Sequence, residues 1–71
     1  MKKRSVYYFG LNLRRKRKAL NMSQYKLAQA IGCGRNHISS YEMGDYLPSA
    51  QRLIEFAEFF NCPIDELFEE V

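Results

Sequence analysis

Apolar residues return along this chain at steps of three, four and seven, the spacing of one face of an α-helix. Phe9, Leu13 and Leu20 share such a face, and Val6 extends it. The pattern predicts a first helix from about residue 7 to 20, stopped at Asn21, a residue type that tolerates the left-handed backbone of a helix end. Ser23 can cap a second helix over about 24–31, with Leu27, Ala28 and Ile31 inward and Gly32 ending it. A third helix is predicted over about 35–42, with Ile38 and Tyr41 inward. "MGDYLP" reads as a loop, because Gly44 and Pro48 both break helices. Ser49 caps a fourth helix to about Phe60, buried through Leu53, Ile54, Ala57 and Phe60 and stopped by Asn61. "PIDELF" opens a last helix with Pro63 and two acids in its first turn, as the helix dipole favours. No strand, repeat or linker interrupts this rhythm. Five short helices with tight connections fit one all-α domain over residues 7–71, preceded by a basic N-terminal arm over residues 1–6.

Composition narrows the class. At 71 residues there is one domain at most, and so short a chain buries only roughly 60% of its unfolded surface. An apolar content of 46% excludes a disordered tail. No apolar run approaches the ~18 residues of a membrane span. "MKKRSVYYFG" lacks the apolar core of a signal peptide. A cytoplasmic protein is expected, with Cys33 and Cys62 as free thiols.

Charge changes the picture more. Residues 1–41 carry ten Lys and Arg and no acid, whereas residues 42–71 carry eight acids and one Arg, Arg52. A basic half of this kind suits an anionic partner. "LRRKRKAL" has few large apolar residues on its free face, which argues against a membrane surface. An ordinary solvated helix face is the plain alternative.

The third helix carries the candidate chemistry. Positions 35, 36, 39 and 40 share one face, because helical neighbours lie three and four apart. They are Arg35, Asn36, Ser39 and Ser40, and they lie opposite Ile38 and Tyr41, so they look outward. Arginine can reach both acceptors of a guanine, and asparagine can pair with an adenine edge. A short helix set across a preceding one by a glycine turn is how a helix-turn-helix presents its reading helix.

"LRRKRKALNMSQYKLAQAIGCGRNHISSYEMGDYLPS" resembles the lambda-repressor-like (Cro/cI-type) helix-turn-helix family, and the similarity runs from about Phe9 to Phe68. It rests on an ordered set: Phe9-Gly10 with Leu13 and Arg17; "MSQYKLAQAIG"; Ile38; Glu42 followed by Gly44; Pro48-Ser49; and "FFNCPIDELF". The resemblance implies a five-helix fold that docks its third helix in the major groove of double-stranded DNA. It implies base reading by Arg35, Asn36, Ser39 and Ser40, and a phosphate contact from Gln24, with Ser23, Lys26 and Tyr46 expected alongside. It also implies an ion pair between Arg17 and Glu42 that fixes the angle of the reading helix. Three positions depart from the family. Gly34 replaces a side-chain cap, Lys16 stands where an apolar residue is common, and Asp45 stands where a base is common.

Other chemistries find little support. Cys33 and His37 are four apart, but with one His and no C-x-x-C no metal site is expected. Cys62 is expected in the core. No nucleophile–base pair has supporting context, so neither an enzyme nor a cofactor is expected. Two functions remain: a bacterial or phage transcription regulator, such as a repressor or controller, or a protein-interaction module that keeps the fold without reading DNA. A regulator is expected to be a homodimer on a palindromic operator, since one short helix contacts too few base pairs to single out a site. Phe56, Phe59, Phe68 and Val71 are expected to line the dimer interface, and the acidic C-terminal half is a candidate surface for a protein partner.

Overall fold

The computed structural model describes residues 4–71. Its elements are α1 (Arg4–Ala19), α2 (Gln24–Ile31), α3 (Arg35–Glu42), α4 (Ala50–Phe60) and a 3-10 turn over Ile64–Phe68. The fold is all-α, as the periodicity implies, but the expected fifth helix is only this tighter turn. Helix α1 begins at Arg4, three residues before the expected start. Of the arm expected over residues 1–6, residues 4–6 are therefore helical, and residues 1–3 lie outside the described residues.

Helix ends follow the local chemistry. Asn21 and Asn61 adopt positive φ of 56° and 55°, and Gly32 and Gly44 adopt 94° and 74°. These left-handed residues turn the chain after α1, α4, α2 and α3 respectively. The hydroxyls of Ser23 and Ser49 accept the backbone N–H of Lys26 and Arg52 at 3.0 and 3.2 Å, capping α2 and α4. Gly34 begins α3 without a side-chain cap.

The core gathers one or two residues from every element. Phe9, Leu13, Leu27, Ile38, Phe56 and Leu67 are fully buried. Edge-on aromatic contacts join α1, α3 and α4: Phe9 to Phe56 and Tyr41 to Phe56 both have ring centroids 6.0 Å apart. Such pairs add modestly to the area they bury.

The expected burial needs correction at several positions. Leu20 is 52% exposed, because α1 ends at Ala19 and the turn at Asn21 carries Leu20 off the inward face. Arg17 takes the inward place instead. On α4 Phe56 and Ala57 are buried, Leu53 and Phe60 are half-buried beside them, and Ile54 faces outward. Both flanks of that helix are apolar, and the larger ring of Phe56 fills the space between Phe9 and Tyr41. Phe56 therefore cannot belong to an exposed dimer stripe. Phe68 is half-buried, with its ring 5.5 Å from that of Phe9, while Phe59 and Val71 remain exposed. Cys62 is half-buried at the core edge rather than inside it.

Two close approaches set the position of α3 and of the C-terminal segment. A Cβ on Gly10 would lie 2.6 Å from the Tyr41 carbonyl oxygen and 2.8 Å from that of Glu42. Glycine thus lets α1 touch the backbone at the end of α3. Buried Asn12 donates from Nδ2 to the carbonyls of Leu67 and Glu69, at 3.2 and 2.8 Å. Lys16 pairs with Glu66, and Arg4 with Glu70, so the 3-10 turn is held along α1 by polar contacts as well as by Leu67.

Candidate nucleic-acid interface

Helix α2 ends in a left-handed turn. The N–H groups of Gly32 and Cys33 both bond the Ala28 carbonyl, at 2.8 and 2.9 Å. The chain leaves this turn and starts α3 two residues later. Ile38 and Tyr41 anchor the inner side of α3. On its outer side Arg35 and Asn36 are exposed, and Ser39 and Ser40 are half-exposed. The four residues expected to read bases thus occupy one outward face.

The end of α3 is fixed by a buried carboxylate. The Glu42 side chain is 0% exposed. Arg17 donates to both its oxygens, from Nε to Oε2 at 2.6 Å and from Nη2 to Oε1 at 3.1 Å. The guanidinium also donates from Nη1 to the Met22 carbonyl at 2.7 Å. A bidentate pair of this kind holds direction as well as distance. Arg14, one turn earlier on α1, adds a long contact to Oε1 at 3.4 Å.

Gln24 extends this network to the surface. Its Nε2 donates to Glu42 Oε1 at 3.0 Å, and its Oε1 accepts from Arg35 Nη1 at 3.1 Å. The first residue of α2 therefore links the buried pair to the first residue of α3. Sequence reasoning placed Gln24 as a phosphate contact and did not see this bridge. Neither Arg14 nor the link to Arg35 has a local signal, since each joins residues far apart in the chain.

The remaining candidates lie around this face. Ser23 uses its oxygen as a cap acceptor and keeps its own hydroxyl proton to donate. Lys26 is exposed beside it. Tyr46 lies on the far side of α3: its hydroxyl sits 3.3 Å from His37 Nδ1, and its ring meets Tyr41 edge-on at 5.6 Å. His37 also stacks on Tyr41, with centroids 6.3 Å apart, and so belongs to an aromatic cluster at the α3–α4 loop. Among the described residues no helix is long and apolar enough to cross a membrane.

Two short helices, a left-handed turn between them, and a second helix buried on one side and polar on the other define a helix-turn-helix domain. A model of the helix-turn-helix family matches residues 13–67. The chain belongs to this family, in its lambda-repressor-like form. It is 36% identical over 55 residues to the transcriptional repressor RstR of the cryptic phage CTXphi from Vibrio cholerae, covering 78% of this chain and 49% of that protein. The restriction-modification controller protein C.AhdI from Aeromonas hydrophila superposes with a TM-score of 0.80 at 30% identity, over 89% of this chain and 96% of that one. The P22 c2 repressor, solved with a synthetic operator, gives a TM-score of 0.80 at 26% identity, over 86% of this chain and 92% of that one. The chain spans about half the length of the first curated relatives it matches. The family is one of regulators, not of enzymes.

Proposed function

We propose that this chain is a cytoplasmic, sequence-specific transcription regulator that binds double-stranded DNA as a homodimer. The observation that carries the reading is the outward face of α3, whose first residue is tied through Gln24 to the buried Glu42–Arg17 pair. A reading helix must be held at a fixed angle to place side chains against base edges, and this network holds both ends of α3. Arg35 uses one of its five donors on Gln24 and keeps the others for a guanine edge. Asn36, Ser39 and Ser40 complete the reading surface. Gln24, Ser23 and Lys26 at the start of α2 meet the phosphates, where a helix N-terminus favours anions, and Tyr46 extends the contact from the loop.

Dimerisation follows from the shortness of the reading helix. Two copies related by a two-fold axis place their helices about 34 Å apart, one turn of DNA. Exposed Phe59 and Val71, together with exposed Ile54 and Ile64, supply apolar surface in the C-terminal half. Acids dominate that half, so it faces away from the phosphates and is the surface open to a protein partner.

Selection of bound duplexes from a random pool tests the reading. A palindromic motif is expected, and Arg35→Ala is expected to lose about 1–3 kcal/mol on it while relaxing the preference at one base pair. Recovery of no motif would leave the protein-interaction module as the function of the fold.

A further inference from the structure

Met43 is the one large apolar side chain presented on the polar face of α3. It is 59% exposed. It lies three and four residues beyond Ser40 and Ser39 and seven beyond Asn36, so it continues their face by one turn. The backbone supports that placement. Met43 keeps right-handed helical angles, φ −80° and ψ −6°, and its N–H bonds the Ser39 carbonyl at 3.0 Å. Only at Gly44 does the chain turn left-handed, with Asp45 N–H closing back on the Ser40 carbonyl at 3.0 Å. The side chain also lies along the face: Ser39 Oγ is 4.0 Å from Met43 Sδ.

We propose that Met43 is a specificity-determining residue of the DNA surface and reads the C5 methyl of a thymine. The inference rests on the DNA-reading function proposed above. Four chemical patterns line the major groove, and only thymine offers an apolar group there. A thioether on an unbranched chain has no hydrogen to donate and suits that methyl, while its flexibility lets it follow the groove. The reach is adequate. Met43 stands about 6 Å along the helix axis from Ser39, and helical side chains lean toward the N-terminus, so its thioether comes back over the Ser39 face, 4.0 Å from Ser39 Oγ. Ser39 and Ser40 are too short to cover an edge beside them, which leaves room for the longer Met43.

The experiment removes the methyl and nothing else. A duplex carrying the selected palindrome is remade with deoxyuridine in place of thymine, one position at a time, symmetrically in both half-sites. Affinities are measured by titration for the natural protein, Met43→Ala and Met43→Leu. One thymine per half-site is expected to matter, with a loss of about fourfold per methyl and about 15-fold for the pair. Met43→Ala should bind the thymine and uracil duplexes equally at that position, and Met43→Leu should restore the preference. Sensitivity that persists in Met43→Ala, or its absence at every thymine, would overturn the assignment while leaving DNA reading intact. Failure of the random-pool selection to give any motif would overturn both.

Discussion

Glu42 shows how much one side chain can carry in a chain of this size. Its carboxylate is fully enclosed and takes donors from Arg17, Gln24 and, more distantly, Arg14. Replacement by glutamine keeps the shape and removes the charge. Arg17, itself buried, would then keep its bond to the Met22 carbonyl but lose its counter-ion. Breaking a buried pair from one side costs about 3 kcal/mol or more. Small domains have only about 5–15 kcal/mol in total. Thermal unfolding of Glu42→Gln should therefore move down by about 12 °C or more. An unchanged midpoint would mean that water already screens Arg17. Gly10 is the second sensitive residue, and here the limit is space. Gly10→Ala puts a methyl into the carbonyls of Tyr41 and Glu42, which are backbone and cannot rotate away. A loss of about 1–3 kcal/mol is expected in urea unfolding, the usual cost of overpacking, together with weaker operator binding, because the end of α3 must shift.

Among the elements, α1 and the C-terminal 3-10 turn are also coupled by polar groups. Asn12 sends one amide nitrogen to carbonyls at Tyr8, Leu67 and Glu69. Lys16, on the same helix, pairs with Glu66, and this explains how a lysine is accommodated where the family often has an apolar residue. Asn12→Ala leaves the Leu67 and Glu69 carbonyls without that donor, at a cost of about 1–3 kcal/mol. The loss should be local at first. Amide exchange over residues 64–71 is expected to speed up more than exchange in α2 and α3, as local opening allows. Equal acceleration everywhere would show that this segment opens only when the whole domain does.

Whole-molecule behaviour follows from charge and from four raised proton affinities. Burial pushes the thiols of Cys33 and Cys62 above their ordinary 9.0, and the Tyr41 hydroxyl above 10.0. The hydrogen bond to Glu66 holds the Lys16 ammonium above 10.5. In each case the folded chain keeps a proton that the unfolded chain gives up, so stability falls as pH rises. The decline begins near 9 with the thiols and steepens beyond 10.5, where the Lys16 pair starts to be lost. Denaturant melts at successive alkaline pH values should show this order, and a Cys33→Ala, Cys62→Ala double variant should delay the onset. The lopsided charge sets the salt dependence expected of the proposed DNA binding. Ten Lys and Arg precede the first acid, so log affinity should fall linearly with log salt, by about 0.9 for each phosphate neutralised. An affinity indifferent to salt would contradict DNA as the partner.

The sequence by itself determined the elements that depend on neighbours. Asn21, Asn61 and Gly32 stop helices because their own backbones accept positive φ, and Ser23 and Ser49 cap because the next turn is three residues away. It also determined the outward face of α3, since Ile38 and Tyr41 leave that face no other direction. The Arg17–Glu42 pair was legible only through resemblance to a family, because 25 residues separate its partners. Tertiary structure decided the rest. Whether Phe56 or Ile54 turned inward depended on the gap between Phe9 and Tyr41, which no single helix contains. The bridge from Gln24 to Arg35, the buried amide of Asn12 and the exposure of Met43 are likewise properties of elements brought together. Local chemistry sets where a helix begins and ends, but which of two apolar flanks is buried is settled by the volume left when the other helices have packed.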